Sequence, residues 1–412
     1  MERRTYLAGT MIIGLSGCIG RQTRTDTGGS GNQSVDPTQS DDSTENDEQV
    51  KEQPSDVEIF DDFSDLSHWT VTTGSVESDD QRTTDGSHSA RLEAGTSDSR
   101  AIITRELSEP IDCTDSNPGL SLAGKYSTVP TIQLIDASGD RVDFRRPIKG
   151  DRQIIRHNFG IEEAFGEPDL SAVTEIRIVL WVGDQSNELW VDELHFVPRP
   201  NTGKVMIQFD DGYETDYTEA FPILERYGFP AVTFVNPGRI GNEAFLDVGQ
   251  CERLQDAGWT VANHSYSHAH LEDLDPDEQT EEIIDAKDWL LDHGFEHGAR
   301  YFAYPFGEWD DQTLDVIDEQ HELAFGGGRG VHGHPVNPLL CSREPGDPTA
   351  EAAKEALDMA AKWGGHVRLF YHRLDEELRS DFEATIEHVQ RLESVGEIEI
   401  VMPRDIEDAL VG

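Results

Sequence analysis

The chain has 412 residues, of which 33 are Lys or Arg and 82 are Asp or Glu, giving a formal charge of −49. So negative a balance argues against nucleic acid and an anionic membrane surface as partners. The 36% hydrophobic content, with 7 Trp and 17 Phe, excludes a wholly disordered acidic chain. Two domains plus extensions fit this length. Acid excess along the whole chain, with only 7 Lys, is the composition of a protein adapted to high salt, where screening over about 3 Å at 1 M removes the self-repulsion.

Residues 1–18 read as a targeting segment. Arg3 and Arg4 form a twin-Arg pair, and the mostly apolar stretch from Tyr6 to Gly17 is too short for the roughly 20 residues that span a bilayer. Leu15-Ser16-Gly17-Cys18 is similar to a lipobox, which predicts lipidation of Cys18 and a membrane-anchored lipoprotein exported to the cell surface. An ordinary signal peptide with a coincidental Cys is the alternative, and it too leads outside the cytoplasm. Residues 19–56 are acidic and polar, as in a disordered linker. Cys113, Cys251 and Cys341 remain, an odd number without a Cys-x-x-Cys pair. They read as buried free thiols, with a Cys251–Cys341 pairing left open.

From 57 to 200 short strand-like runs recur between polar turns: 101–104, 131–135, 175–181 and 188–196. No long amphipathic helix interrupts them, so an antiparallel all-β sandwich is expected. The opening Phe60-Asp-Asp-Phe63 with Trp69, and the closing Trp190 to Phe196, resemble jelly-roll carbohydrate-binding modules of secreted glycan enzymes. Core packing is the expected role of Trp69, Trp181 and Trp190, with sugar stacking as the alternative.

From 201 to 412 strands alternate with helices. Strands are expected at 204–209, 231–235, 260–262, 301–304, 322–325, 339–342 and 367–371, and helices near 217–227, 249–257, 278–293, 314–320, 349–363 and 380–395. Asp275-Pro276 is a good cap and first-turn pair for the third helix. Repeated strand–helix order predicts an α/β fold, a parallel sheet curled into a distorted (β/α) barrel. Barrel enzymes carry their chemistry at the C-terminal ends of strands, and the polar clusters fall there. Asp210-Asp211-Gly212 end the first strand, His264-Ser-Tyr-Ser-His268 follow the third, Pro305-Phe-Gly307 the fourth, and His372 the last. His264 and His268, four apart, share a face if they lie in one helical turn. With a carboxylate they form a two-His, one-carboxylate set suited to Zn²⁺ or another divalent ion.

In that order, Phe-Asp-Asp-Gly, His-Ser-x-x-His, Tyr-Pro-Phe-Gly and a strand ending in His resemble the polysaccharide deacetylase family, the NodB-homology domain of carbohydrate esterase family four. The resemblance covers about 204–412. It implies a NodB-like barrel and these roles: Asp210 as general base; Asp211, His264 and His268 as metal ligands; His372 as general acid; the Phe306 N–H as oxyanion donor. Tyr304 and Pro305 belong with the substrate side. The family's third-motif Arg is replaced by Ala303, and Arg343 is the preferred substitute, ahead of Arg300. No acid matching the fourth motif stands out in 322–330. The expected activity is metal-dependent removal of N-acetyl groups from a polysaccharide or glycan, with Zn, Co or Ni as the ion. The alternatives are an O-acetyl esterase, a hydrolase of a non-sugar amide and a glycan-binding lipoprotein whose catalytic domain is vestigial.

Overall fold

A computed structural model describes residues 57–411 apart from 85–87, 184 and 348. The expectations for 1–18, Cys18 and 19–56 lie outside the described residues.

Residues 59–198 form two antiparallel six-stranded sheets. One runs Ser75–Asp79, Ser89–Ala94, Asn187–Pro198, Ser116–Gly124, Ile155–Asn158, with Ile59–Asp61 also against Asn187–Pro198. The other runs Gly160–Phe165, Arg141–Arg145, Thr131–Asp136, Val173–Trp181, Arg100–Ile111, Thr70–Thr73. Alternation sets the core. Ile176, Ile178 and Leu180 point inward from one strand and are fully buried. Trp69 stacks on Phe63 and its indole N–H donates to Asp61 at 2.9 Å. Trp190 is buried and donates to Asp79 at 3.0 Å. Trp181 departs from the core expectation: it ends its strand, is 44% exposed and lies under the Arg100 guanidinium.

Eight parallel strands follow, in the order Leu323–Phe325, Tyr301–Ala303, Thr260–Asn263, Val232–Val235, Gly203–Phe209, Gly365–Tyr371, Glu344–Pro345, with Ile398–Ile400 beside the start of Gly203–Phe209. The expected strand at 339–342 is instead a single turn at Pro338–Leu340 followed by extended chain. Pro338 cannot donate to a ladder, which favours the turn. Cys341 then bridges Phe325 while Glu344–Pro345 pairs with Gly365–Tyr371, so this one segment hydrogen-bonds both ends of the sheet. Val205, Ile207 and Phe209 face outward onto helices; Phe209 packs against Trp259, Tyr371 and Phe382. Met206 on the opposite pleat joins the interior with Phe234, Ala262 and Ala303.

The helix Pro276–Asp292 begins as expected, with a reciprocal Asp275/Glu278 capping box that contributes about 1 kcal/mol. No helix among the described residues is long and apolar enough to cross a membrane. The three described cysteines are free and buried.

The sandwich packs directly on the barrel. Arg199 donates to Trp363 O, Ser116 O, Asn117 Oδ1 and Thr114 O. Lys149 pairs with Glu272 and Glu308 at 2.7 and 3.2 Å, and Arg152 with Glu272 at 2.9 Å.

Candidate active site

The strand Gly203–Phe209 delivers Asp210 and Asp211 at its C-terminal end. Asp210 N still donates to Tyr371 O at 2.9 Å, so the ladder holds it in place. Asp211 then takes φ 73° and Gly212 φ 66°, which turns the second carboxylate away from the first. A Cβ on Gly212 would sit 3.0 Å from Val235 Cγ1, a tight contact, and the positive φ favours glycine there. Asp211, Ser265, His268 and Phe306 are four of the nine non-glycine residues with positive φ among the described residues; such strain gathers at functional sites.

The two histidines do not share a helical turn. Residues 264–268 are irregular, with Ser265 at φ 62° and His268 at φ 65°, and it is this left-handed loop that brings the rings together, 4.9 Å apart. Asn263 Oδ1 accepts from Ser265 N at 2.9 Å, and Ser265 Oγ from His268 N at 3.1 Å, which fixes the loop.

Donor atoms of Asp211, His264 and His268 all lie within 4.8 Å of one another. His264 Nδ1 is 2.7 Å from Ala303 O. A carbonyl only accepts, so Nδ1 carries the proton and Nε2 keeps its lone pair. His268 Nε2 stands 3.2 Å from Asp211 Oδ1. Burial holds both imidazoles neutral: His264 is pushed below its ordinary range, and His268 down to about 4. Two neutral imidazoles and one carboxylate fit a divalent ion with room for a further ligand. Arg239 Nη1 also donates to Asp211 Oδ1 at 2.8 Å, a contact with no sequence signal.

Asp210 is 5% exposed and accepts from Arg343 Nη2 at 2.6 Å. Burial alone would raise its pKa, but the Arg343 guanidinium reverses this and holds the carboxyl below its ordinary value. Of the two arginines weighed for this place, Arg343 is the one that meets Asp210, whereas Arg300 pairs with Glu407. His372, half exposed, lies 3.2 Å through Nδ1 from Asp347 Oδ2. That hydrogen bond, acting against burial, raises its pKa. Asp347 is thus an acid beside His372 that lies outside 322–330. It sits four residues past Arg343, in a segment that reads as a plain Pro-Gly-Asp-Pro turn.

Phe306 has φ 59° and is 54% exposed; its ring stacks on His270, centroids 3.7 Å apart. Tyr304 is 1% exposed and its hydroxyl donates to Leu339 O at 3.0 Å. Pro305 is buried and starts the turn that displays Phe306. Both therefore position their neighbour, although the Tyr304 ring also borders the cavity. The cavity measures about 640 Å³ and is lined by Asp210, Asp211, His264, His268, Arg343 and His372, with Pro147 from the sandwich on its rim.

Residues 198–323 match the family profile described as polysaccharide deacetylase. The chain is 31% identical over 121 residues to YxkH of Bacillus subtilis, named for a polysaccharide deacetylase; this is 29% of the chain and 43% of that protein. It is 30% identical over 126 residues to the poly-β-1,6-N-acetyl-D-glucosamine N-deacetylase of Staphylococcus aureus, 27% of the chain and 43% of that protein. The chain thus spans less than half the length of these curated relatives. A solved structure of the Streptococcus pyogenes deacetylase PplD with acetate is similar at 29% identity over 34% of this chain and 62% of that one, with a TM-score of 0.32. Arg343, Asp347 and His372 lie beyond the matched segment, and only the fold joins them to it. Residues 198–323, which carry Asp210, Asp211, His264, His268 and Phe306, are thus the part of the chain that is similar to polysaccharide deacetylases.

Proposed function

We propose that this chain is a metal-dependent hydrolase that removes N-acetyl groups from an extracellular polysaccharide or glycan. The observation that carries the reading is one cavity holding two differently treated acids. Asp211 lies with His264 and His268 in a ligand-like set, while Asp210 beside it is held as a free carboxylate by Arg343.

Asp211, His264 and His268 would hold a divalent ion, Zn, Co or Ni, which when bound polarises the acetyl carbonyl and lowers the pKa of water. Asp210 takes the proton of the attacking water. The Phe306 N–H donates to the oxygen that gains charge as water adds to the carbonyl. His372, held by Asp347, gives its proton to the departing sugar nitrogen as the C–N bond breaks. The products are acetate and a free amine. Catalysis needs a base and an acid poised oppositely, and the environments of Asp210 and His372 push them that way.

The sandwich, read as a jelly-roll module, presents Pro147 to the same cavity, which supports giving it a share in substrate contact. An exported, lipid-anchored placement rests on Arg3, Arg4 and Cys18 of the sequence.

The test is acetate release from N-acetylglucosamine oligomers in multimolar salt, on metal-loaded protein beside Asp210→Asn and His264→Ala. Release that both substitutions abolish supports the reading. Absence of release, with metal bound, overturns it and directs the assay to O-acetyl esters.

A further inference from the structure

We propose that a small inorganic anion binds where the 326–343 loop and the sandwich close the side of the barrel, against a donor fork of Arg368 that meets no protein acceptor. The strand Gly365–Tyr371 puts His366, Arg368 and Phe370 on one face by alternation. Phe370 reaches the catalytic cavity, and Arg368 lies one pleat below it. Arg368 is 3% exposed. Nη1 donates to Ser342 O at 3.3 Å, but Nε and Nη2 find no partner. His366, two residues before, is also buried, with neither ring nitrogen partnered. Its ring is 5.2 Å from that of His334, whose Nδ1 is unpartnered as well. Two residues from Ser342, the sandwich's Arg146 reaches Leu340 O at 3.5 Å, buried, with Nε unpartnered.

No carboxylate among the described residues pairs with Arg146 or Arg368. In a chain of net charge −49 this is a local inversion. A buried cation without a counter-charge is costly, and so is each buried donor without an acceptor. Water answers the donors and leaves the charge. An anion answers both, and two adjacent N–H groups on one guanidinium suit an oxyanion or a halide. The site is separate from the catalytic cavity and does not depend on the proposed reaction.

Crystals of the full chain soaked separately in bromide and in selenate decide between sources. The expected result is an anomalous peak, in one of the two soaks, at about 3.5 Å from Arg368 Nε and Nη2 for bromide or at about 4 Å for the selenium of a selenate whose oxygens accept from them. A bromide peak identifies a halide and a selenate peak an oxyanion. Density there with no anomalous signal from either ion identifies water and overturns the proposal. In solution, at fixed ionic strength, replacing gluconate by the identified ion raises the unfolding midpoint by about 2–4 °C per tenfold increase, and Arg368→Met removes that dependence. Should Arg368→Met fail to fold, the soaks of the parent protein still decide.

Discussion

The Arg343–Asp210 pair is the most exposed point of this reasoning. Both side chains are under a tenth exposed, at 5% and 7%, and one 2.6 Å bond joins them. Arg343→Met leaves the carboxylate buried, with only the neutral His264 ring, Nε2 at 3.9 Å, in place of the guanidinium. Removing one member of such a pair costs about 3–5 kcal/mol, most of it the penalty of the stranded charge. The double variant Arg343→Met with Asp210→Asn strands no charge, so it should recover about 2 kcal/mol or more relative to the sum of the singles. The assay is denaturant unfolding of chelator-treated protein at constant high salt, for the parent, both singles and the double. The pH dependence carries a sign. Asp210 is held below its ordinary 3.8, so the pair's contribution is fully present above that value and is lost as pH falls through the lower folded one. In Arg343→Met burial acts unopposed and raises the Asp210 pKa above its ordinary value, so the deficit should be greatest at neutral pH, start to shrink as pH falls through the variant's raised value, and go on shrinking through the parent's lower one. A cost under about 1 kcal/mol, or singles additive within about 0.5 kcal/mol, would refute the claim that Arg343 holds the base ionised.

Three further outcomes are expected. Asp347→Asn removes the partner that raises His372. Turnover should fall about 10–100-fold, as when a partner orienting a histidine is lost, and the alkaline limb of the rate profile should move to lower pH. An unchanged profile would disconnect Asp347 from catalysis. His264→Ala and His268→Ala should each weaken metal binding by about 100-fold or more, read by competition with a chelator, while leaving the far-ultraviolet spectrum unchanged. Phe306→Ala keeps the backbone N–H and deletes an exposed ring. KM for oligomers should rise about 3–10-fold, the worth of one aromatic contact, with kcat held; a fall in kcat alone would contradict a binding role for the ring.

The strand–helix alternation after Lys204 and the fall of Asp210, Asp211, His264, His268 and His372 at strand ends were legible from the chain alone. A buried strand needs an apolar run, a helix start needs a cap, and both are local patterns. The two-sheet sandwich was legible for the same reason, through period-two runs such as 176–180. Tertiary structure decided the rest, wherever a residue's meaning came from a partner distant in sequence. Asp347 reads as a turn residue until the fold sets it beside His372. Arg343 acquires its role from Asp210, 133 residues away. Trp181 has the composition of a core residue and stands at an exposed strand end. His264 and His268 face each other through left-handed turns at Ser265 and His268, conformations that no side-chain pattern announces. Residues 338–345 became a turn and a two-residue strand because the two ends of the sheet meet there, a closure that depends on all the other strands and on no short stretch of sequence.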